Sequence, residues 1–142
     1  MSITSANATF LLGIADVFPV PQQLTQFAAD DLFDTEAIDS AEVRMGVDGS
    51  LTAGFVFVPV KQTITLQADS PSCALFDAWW AAQQVAKDVF SAFGIVILPG
   101  LGTKWALTNG FLTSYKPIPD AKKLLEPRKF GITWEKVLAA TT

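Results

Sequence analysis

The sequence contains no histidine, a single cysteine, a single tyrosine and only 17% charged residues. Without histidine, the most frequent general base and the most frequent metal ligand are missing, which excludes Ser-His and Cys-His nucleophilic sites. Residue types alone permit a Ser–Lys pair, yet no motif frames one. One cysteine, Cys73, rules out an intrachain disulfide and a cysteine cluster for zinc. Its apolar neighbours predict that it packs as a small apolar residue in a helix. Long hydrophobic runs are also lacking. The most apolar stretch, "FGIVILPGLG" from Phe93 to Gly102, is about half a membrane span and is broken by Pro99 and glycines. The opening "MSITSANATF" carries no basic region of the signal-peptide kind. No membrane anchoring is therefore expected.

What the chain has instead is apolar residue, 50% of its 142 positions, with a mean hydropathy of +0.35. At this length one domain over residues 1–142 is expected. A domain so small has much surface for its volume, so this composition predicts apolar surface left exposed in a monomer. With a membrane excluded, other protein chains are the outlet, and an obligate oligomer is expected. The net charge of −4 is unevenly spread. Residues 1–60 hold eight acids and one base, residues 61–142 six acids and nine bases. Such a chain can meet copies of itself head to tail, in rings or filaments, unless folding mixes the two halves on one surface.

The densest charge lies in "ADDLFDTEAIDSAEVR", where Asp30, Asp31, Asp34, Glu36, Asp39 and Glu42 face a single cation, Arg44. The acids do not alternate as in a calcium-binding EF-hand loop, and "GLGTKW" lacks the length and Lys-Ser/Thr ending of a phosphate-binding loop. A carboxylate-dependent metal enzyme centred on Asp30 and Asp31 remains as one alternative. A pI near 4.6 argues against specific nucleic-acid binding. Elsewhere Thr9–Ile14 reads as a strand, "FPVPQQ" as a proline-punctuated loop, and Leu24–Phe33 as a strand. Asp48-Gly49 in "MGVDGSLT" is a hairpin turn signal. Phe55–Gln67 is β-branched and aromatic, with Pro59 marking an edge or bulge. Ser70 as N-cap and Pro71 at the first helical position open a helix over Pro71–Val89. A strand "IVILP", a long extended run "KWALTNGFLTSYKPIP" and a closing strand then follow. In the last of these Phe130, Ile132 and Trp134 alternate inward as core. Strands on both sides of one helix predict a mainly β or α+β domain, a β-sandwich or small barrel with one packed helix. The pair Trp79-Trp80 reads either as a helix face docked on the sheet or, with Trp105, as a platform for an apolar or sugar ligand in a small binding module.

Four segments, in this order and spacing, carry a family resemblance. They are "TQFAADDLFDTEAI" (with Gln26 where the family commonly has glycine), "MGVDGSLTAGFVF", "TITLQADSPS" running into "FDAWWAAQ", and "PDAKKLLEPRKFGITWEKV". Over about Phe27–Val137 the chain resembles the tail tube proteins of long-tailed bacteriophages, particularly the myovirus, contractile-tail type. The resemblance implies a structural virion protein and not an enzyme. Its β-sandwich-like subunits would form homo-hexameric rings, with inner strands joining an intersubunit barrel. Stacked rings would make a hollow channel that double-stranded DNA crosses during ejection without specific binding. Sheath, baseplate and tail terminator proteins are the implied partners, and no cofactor or metal is implied. The tail of the virion is the implied location, with assembly in the host cytoplasm. Tubes of bacteriocins and of type VI secretion are similar in architecture and stand as alternatives.

This framework assigns expected roles. Asp30, Asp31, Asp34, Glu36, Asp39 and Glu42 are lumen or ring-junction candidates, because carboxylates keep passing phosphates from sticking whereas Lys and Arg bind them. Val47, Asp48, Gly49 and Ser50 are the inter-ring hairpin candidates. Lys122, Lys123, Arg128 and Lys129 are candidates for contact with a neighbouring subunit or the sheath.

Overall fold

The computed structural model describes residues 7–28 and 32–141. Among these residues nine strands and one helix follow in the order β1 (Thr9–Ile14), β2 (Phe18–Gln23), β3 (Phe33–Thr35), β4 (Ala41–Met45), β5 (Leu51–Phe55), β6 (Val60–Leu66), α1 (Cys73–Ala86), β7 (Ala92–Leu98), β8 (Thr103–Tyr115) and β9 (Arg128–Thr141). Seven strands form one antiparallel sheet in the order β2-β1-β7-β8-β9-β6-β3, and β4 and β5 form a separate ribbon. The sheet curls until its two ends approach. Phe10 of β1 meets Phe33 of β3 edge-on, with ring centroids 5.6 Å apart. The result is a small open barrel with one helix, the mainly β class expected from the strand and helix patterns.

Period-2 patterning makes the core. Phe10, Leu12 and Ile14 of β1, Ile64 and Leu66 of β6, and Phe130, Ile132 and Trp134 of β9 are buried. α1 closes one end of the barrel. Phe76 stacks on Phe130 with centroids 4.2 Å apart, and the indole of Trp79 donates to the Phe90 carbonyl at 3.1 Å. The opposite end stays open as an apolar cavity of about 280 Å³ between Phe33, Val96, Leu98, Trp105, Trp134 and Val137. Small residues permit this close packing. A Cβ at Gly110 would overlap the Trp134 ring, and one at Gly94 would reach the Leu11 carbonyl at 2.8 Å.

Several local expectations are corrected. Phe18–Gln23 is a strand, because it lies at the sheet edge, where Pro19 and Pro21 need not donate on the open side. Leu24–Phe33 is not a strand among the described residues; Phe27 makes one isolated bridge to Leu66. Gln26 there has φ +56°, a left-handed conformation suited to the glycine it replaces in the resembled family. Phe55–Gln67 is divided at residues 56–59, with Pro59 standing just ahead of β6. The helix, expected over Pro71–Val89, begins two residues later and ends three residues earlier, at Cys73–Ala86, with Ser72 as N-cap. Ser72 spends its hydroxyl on the Thr25 amide at 2.9 Å, and Ser70 donates to the Thr25 carbonyl, so both serines fasten the helix start to the preceding loop.

Candidate assembly surfaces

The ribbon follows from its turn. Gly49 takes φ +87°, the Gly46 amide donates to the Ser50 carbonyl at 2.7 Å, and Asp48 accepts from the Ser50 amide and hydroxyl, each at 3.0 Å. Those hydrogen bonds hold the Asp48 carboxyl below its usual range. The pairing register then separates two faces. Ala41, Val43, Met45, Leu51, Ala53 and Phe55 share one, and Glu42, Arg44, Thr52 and Gly54 share the other. Every residue of both strands is exposed. Val43 is 58%, Met45 65%, Leu51 62% and Phe55 72% open to solvent, so the body of the protein does not cover the apolar face. Covering each of these side chains is worth about 1.5–3 kcal/mol. A two-stranded ribbon alone is marginal in water, and this one displays the surface that a partner would bury.

A second open surface lies at the same end. β6 pairs with β9 from Arg128 to Trp134 and no further, while β8 continues to pair with β9 as far as Thr141. Among the described residues, 135–141 therefore present one free strand edge, and Leu138 there is 59% exposed. Beside it runs a groove formed by Ile38, Phe55, Phe57, Val58, Val137 and Leu138. Free strand edges of this length are templates for pairing with another chain. The sequence pattern did not disclose this edge. Its signal is that β9, at 14 residues, is twice as long as β6 at 7.

At the helix end the chain joins β8 to β9 through residues 116–127. Arg128 holds this connection down. Its guanidinium donates to Asp77 Oδ1 at 2.8 Å and to the Lys116 carbonyl at 2.8 Å, and it lies over the Phe130 ring. The Tyr115 hydroxyl donates to the same Asp77 oxygen, and Trp80 stacks on Tyr115. Partial burial pushes the Asp77 carboxyl up, but the hydrogen bonds from Arg128 and Tyr115 and the Arg128 charge outweigh it and leave the group below its ordinary range. Burial and the bond to Asp77 raise the Tyr115 phenol.

The residues singled out from sequence divide accordingly. Asp34, Glu36, Asp39 and Glu42 are exposed on β3, on β4 and between them, so the structure brings these four acids along one continuous segment. Asp30 and Asp31 lie outside the described residues. Val47, Asp48, Gly49 and Ser50 form the ribbon tip, with Val47 fully exposed. Lys122, Lys123 and Lys129 are exposed, whereas Arg128 is 5% exposed and already engaged, so it cannot serve as a free surface cation. The period-2 pattern could have found it, since Arg128 falls on the inward face with Phe130, Ile132 and Trp134. Trp79 is wholly buried, whereas Trp80 is 39% exposed with one ring face stacked on Tyr115, so the two indoles do not share one open platform.

Comparison with known proteins follows the same lines. No curated protein matches the sequence. Among solved structures the fold is similar to a chain of the sheath/tube terminator of an extracellular contractile injection system, PVC, in its extended state. The identity is 13%, with 99% of this chain and 98% of that one covered and a TM-score of 0.64. It is also similar to a chain of the PVC sheath-tube complex in the extended state, at 14% identity over 94% of this chain and 88% of that one, with a TM-score of 0.62. A chain of the anti-feeding prophage tube-terminating cap matches at 13% identity over 94% and 88%, with a TM-score of 0.59. At these identities the likeness is one of fold. A family model described as tail fiber protein gp32 matches residues 1–138, and the chain belongs to that family.

Proposed function

We propose that this chain is the subunit of a phage tail tube, a structural protein and not an enzyme, whose copies close into homo-hexameric rings stacked around a channel for double-stranded DNA. The observation that carries the reading is the uncovered apolar face of the β4–β5 ribbon beside the free edge of β9. A chain that worked alone would bury or blunt both. The fold shared with chains of tube and tube-terminating assemblies supports a tube, although the family description names a fiber. A curled sheet with unpaired strands has the geometry to continue into the sheets of its neighbours.

In this reading the free edge and the ribbon join subunits into an intersubunit barrel, and the tip at Val47, Asp48, Gly49 and Ser50 reaches the adjacent ring. The carboxylates Asp34, Glu36, Asp39 and Glu42, with Asp30 and Asp31, face the lumen or the ring junction and keep phosphates from adhering. Lys122, Lys123 and Lys129 meet a neighbouring subunit or the sheath, and Arg128 supports them by fixing their loop. Sheath, baseplate and terminator proteins complete the tail of the virion, assembled in the host cytoplasm.

Electron microscopy of the purified chain in negative stain tests the reading, with rings or tubes about a central hole as the expected particles. Discrete solid monomers at high concentration would contradict it. Reversing two of the exposed acids tests the lumen assignment. Normal DNA ejection together with normal tube assembly would remove it.

A further inference from the structure

The two chemically distinct surfaces stand at opposite ends of the barrel. β3 runs from Phe33, paired with Ile64, to Thr35, paired with Gln62, toward the open end, and the ribbon emerges there. Residues 34–58 hold five acids and one base. The β8–β9 connection and its flanks, residues 116–129, lie at the helix end and hold five bases and two acids. Between this connection and the outward face of β6 and β9 is a cleft of about 850 Å³. Thr65 and Lys129 are direct cross-strand partners on its floor, and Lys116 and Lys122 line it with Asp120 and Glu126. Lys116 is paired with Asp120 at 2.8 Å, whereas Lys122 and Lys129 make no ion pair among the described residues.

Thr65 is the unusual member. It is 3% exposed, lines the cleft, and its hydroxyl has no hydrogen-bond partner among the described residues. A buried hydroxyl normally has one, because leaving it unsatisfied is costly. Thr65 lines the same cleft as Lys122 and Lys129, and hydroxyl and ammonium donors together fit a carboxylate, which accepts hydrogen bonds and donates none.

We infer that the cleft formed by Thr65, Lys122 and Lys129 receives carboxylates from the ribbon root of a second copy, Asp39 and Glu42, stacked head to tail. The inference rests on the assembly reading above. Opposite placement of the acidic and basic surfaces allows such contacts to repeat along an axis, with each copy offering a ribbon to one neighbour and a cleft to the other. Asp39 and Glu42 are favoured over Asp34 because Asp34 lies in a strand paired to its own sheet, whereas the ribbon projects free. The same contact sets register between copies, since a ribbon displaced by one residue would present Val43 to the lysines in place of Glu42.

Charge exchange provides the test. The double variants Lys122→Glu/Lys129→Glu and Asp39→Lys/Glu42→Lys change only exposed residues, and circular dichroism should show each folded. Each alone is expected to sediment as small species where the wild type assembles, and the quadruple variant is expected to assemble again. Thr65→Val separates this contact from a merely structural role. Removing an orphaned hydroxyl should raise the melting temperature of the subunit while weakening association about tenfold. Wild-type tubes together with unimpaired assembly of both double variants would overturn the inference and leave the tube reading intact. A quadruple variant that stays dissociated would also overturn it, and wild-type protein that never assembles would overturn both.

Discussion

The barrel body and the β4–β5 ribbon are built from the same kinds of residue, yet they fold by opposite rules. In the body, Phe130, Ile132 and Trp134 alternate inward and are almost wholly buried. In the ribbon, Val43, Met45, Leu51 and Phe55 alternate just as regularly onto one face and remain open to water. Local pattern is thus equally good in both, and what differs is whether this chain supplies the opposing surface. The body closes on itself through a curled sheet and a helix. The ribbon carries an apolar face that nothing among the described residues covers.

Substitutions can break or sharpen this contrast, judged by subunit stability in urea. The largest expected effect is at Trp134, whose ring fills the space over Gly110 and whose indole donates to buried Gln62 at 3.0 Å. Trp134→Ala should cost about 3–5 kcal/mol. Arg128→Ala should cost about 2 kcal/mol, because the carbonyl of Lys116 and the half-exposed Asp77 lose their donors together. That clamp also predicts a pH profile. Asp77 titrates below its unfolded value of 3.8, so its contribution is complete above that pH and fades as the pH falls through the folded value. Tyr115 titrates above its unfolded value of 10, so its contribution is complete below that pH and is lost as the pH rises through the folded value. Asp77→Asn should flatten the acid limb of urea-unfolding stability measured against pH.

Smaller effects follow. Gln26→Gly relieves a left-handed backbone at φ +56° but adds freedom to the unfolded chain, for a net gain of up to about 1 kcal/mol. The smallest is in the ribbon. Met45→Asp should leave subunit stability within about 0.5 kcal/mol, since nothing in the body packs on it, yet abolish assembly in sedimentation. A large loss of subunit stability from Met45→Asp would erase the distinction between the two regions.

What the sequence disclosed follows from the same distinction. Alternation in "KFGITWE" identified the core strand, Asp48-Gly49 identified the turn, and the helix was misplaced by two residues at its start and three at its end. These signals are local, and propensity and period carry them. The edge position of Phe18–Gln23, the break at residues 56–59 and the buried clamp of Arg128 depend on neighbours distant in sequence, which periodicity does not contain. The basic run Lys122, Lys123, Arg128 and Lys129 looked uniformly exposed because charge usually implies surface. One of its four members lies instead on the inward face of a strand, where a carboxylate from the helix and two backbone carbonyls make burial tolerable. The apolar excess was visible in composition, but only pairing register locates it on one face of the ribbon.

Amide hydrogen exchange across the β4–β5 ribbon and residues 135–141, measured on dilute subunit and on concentrated material, addresses the exposed surfaces themselves. Amides on the outer edges of these strands should exchange within seconds when dilute and become protected by orders of magnitude on assembly, while the β1, β6 and β7 amides change little. Equal protection of ribbon and body at every concentration, or assemblies in which the ribbon edges still exchange freely, would contradict the account.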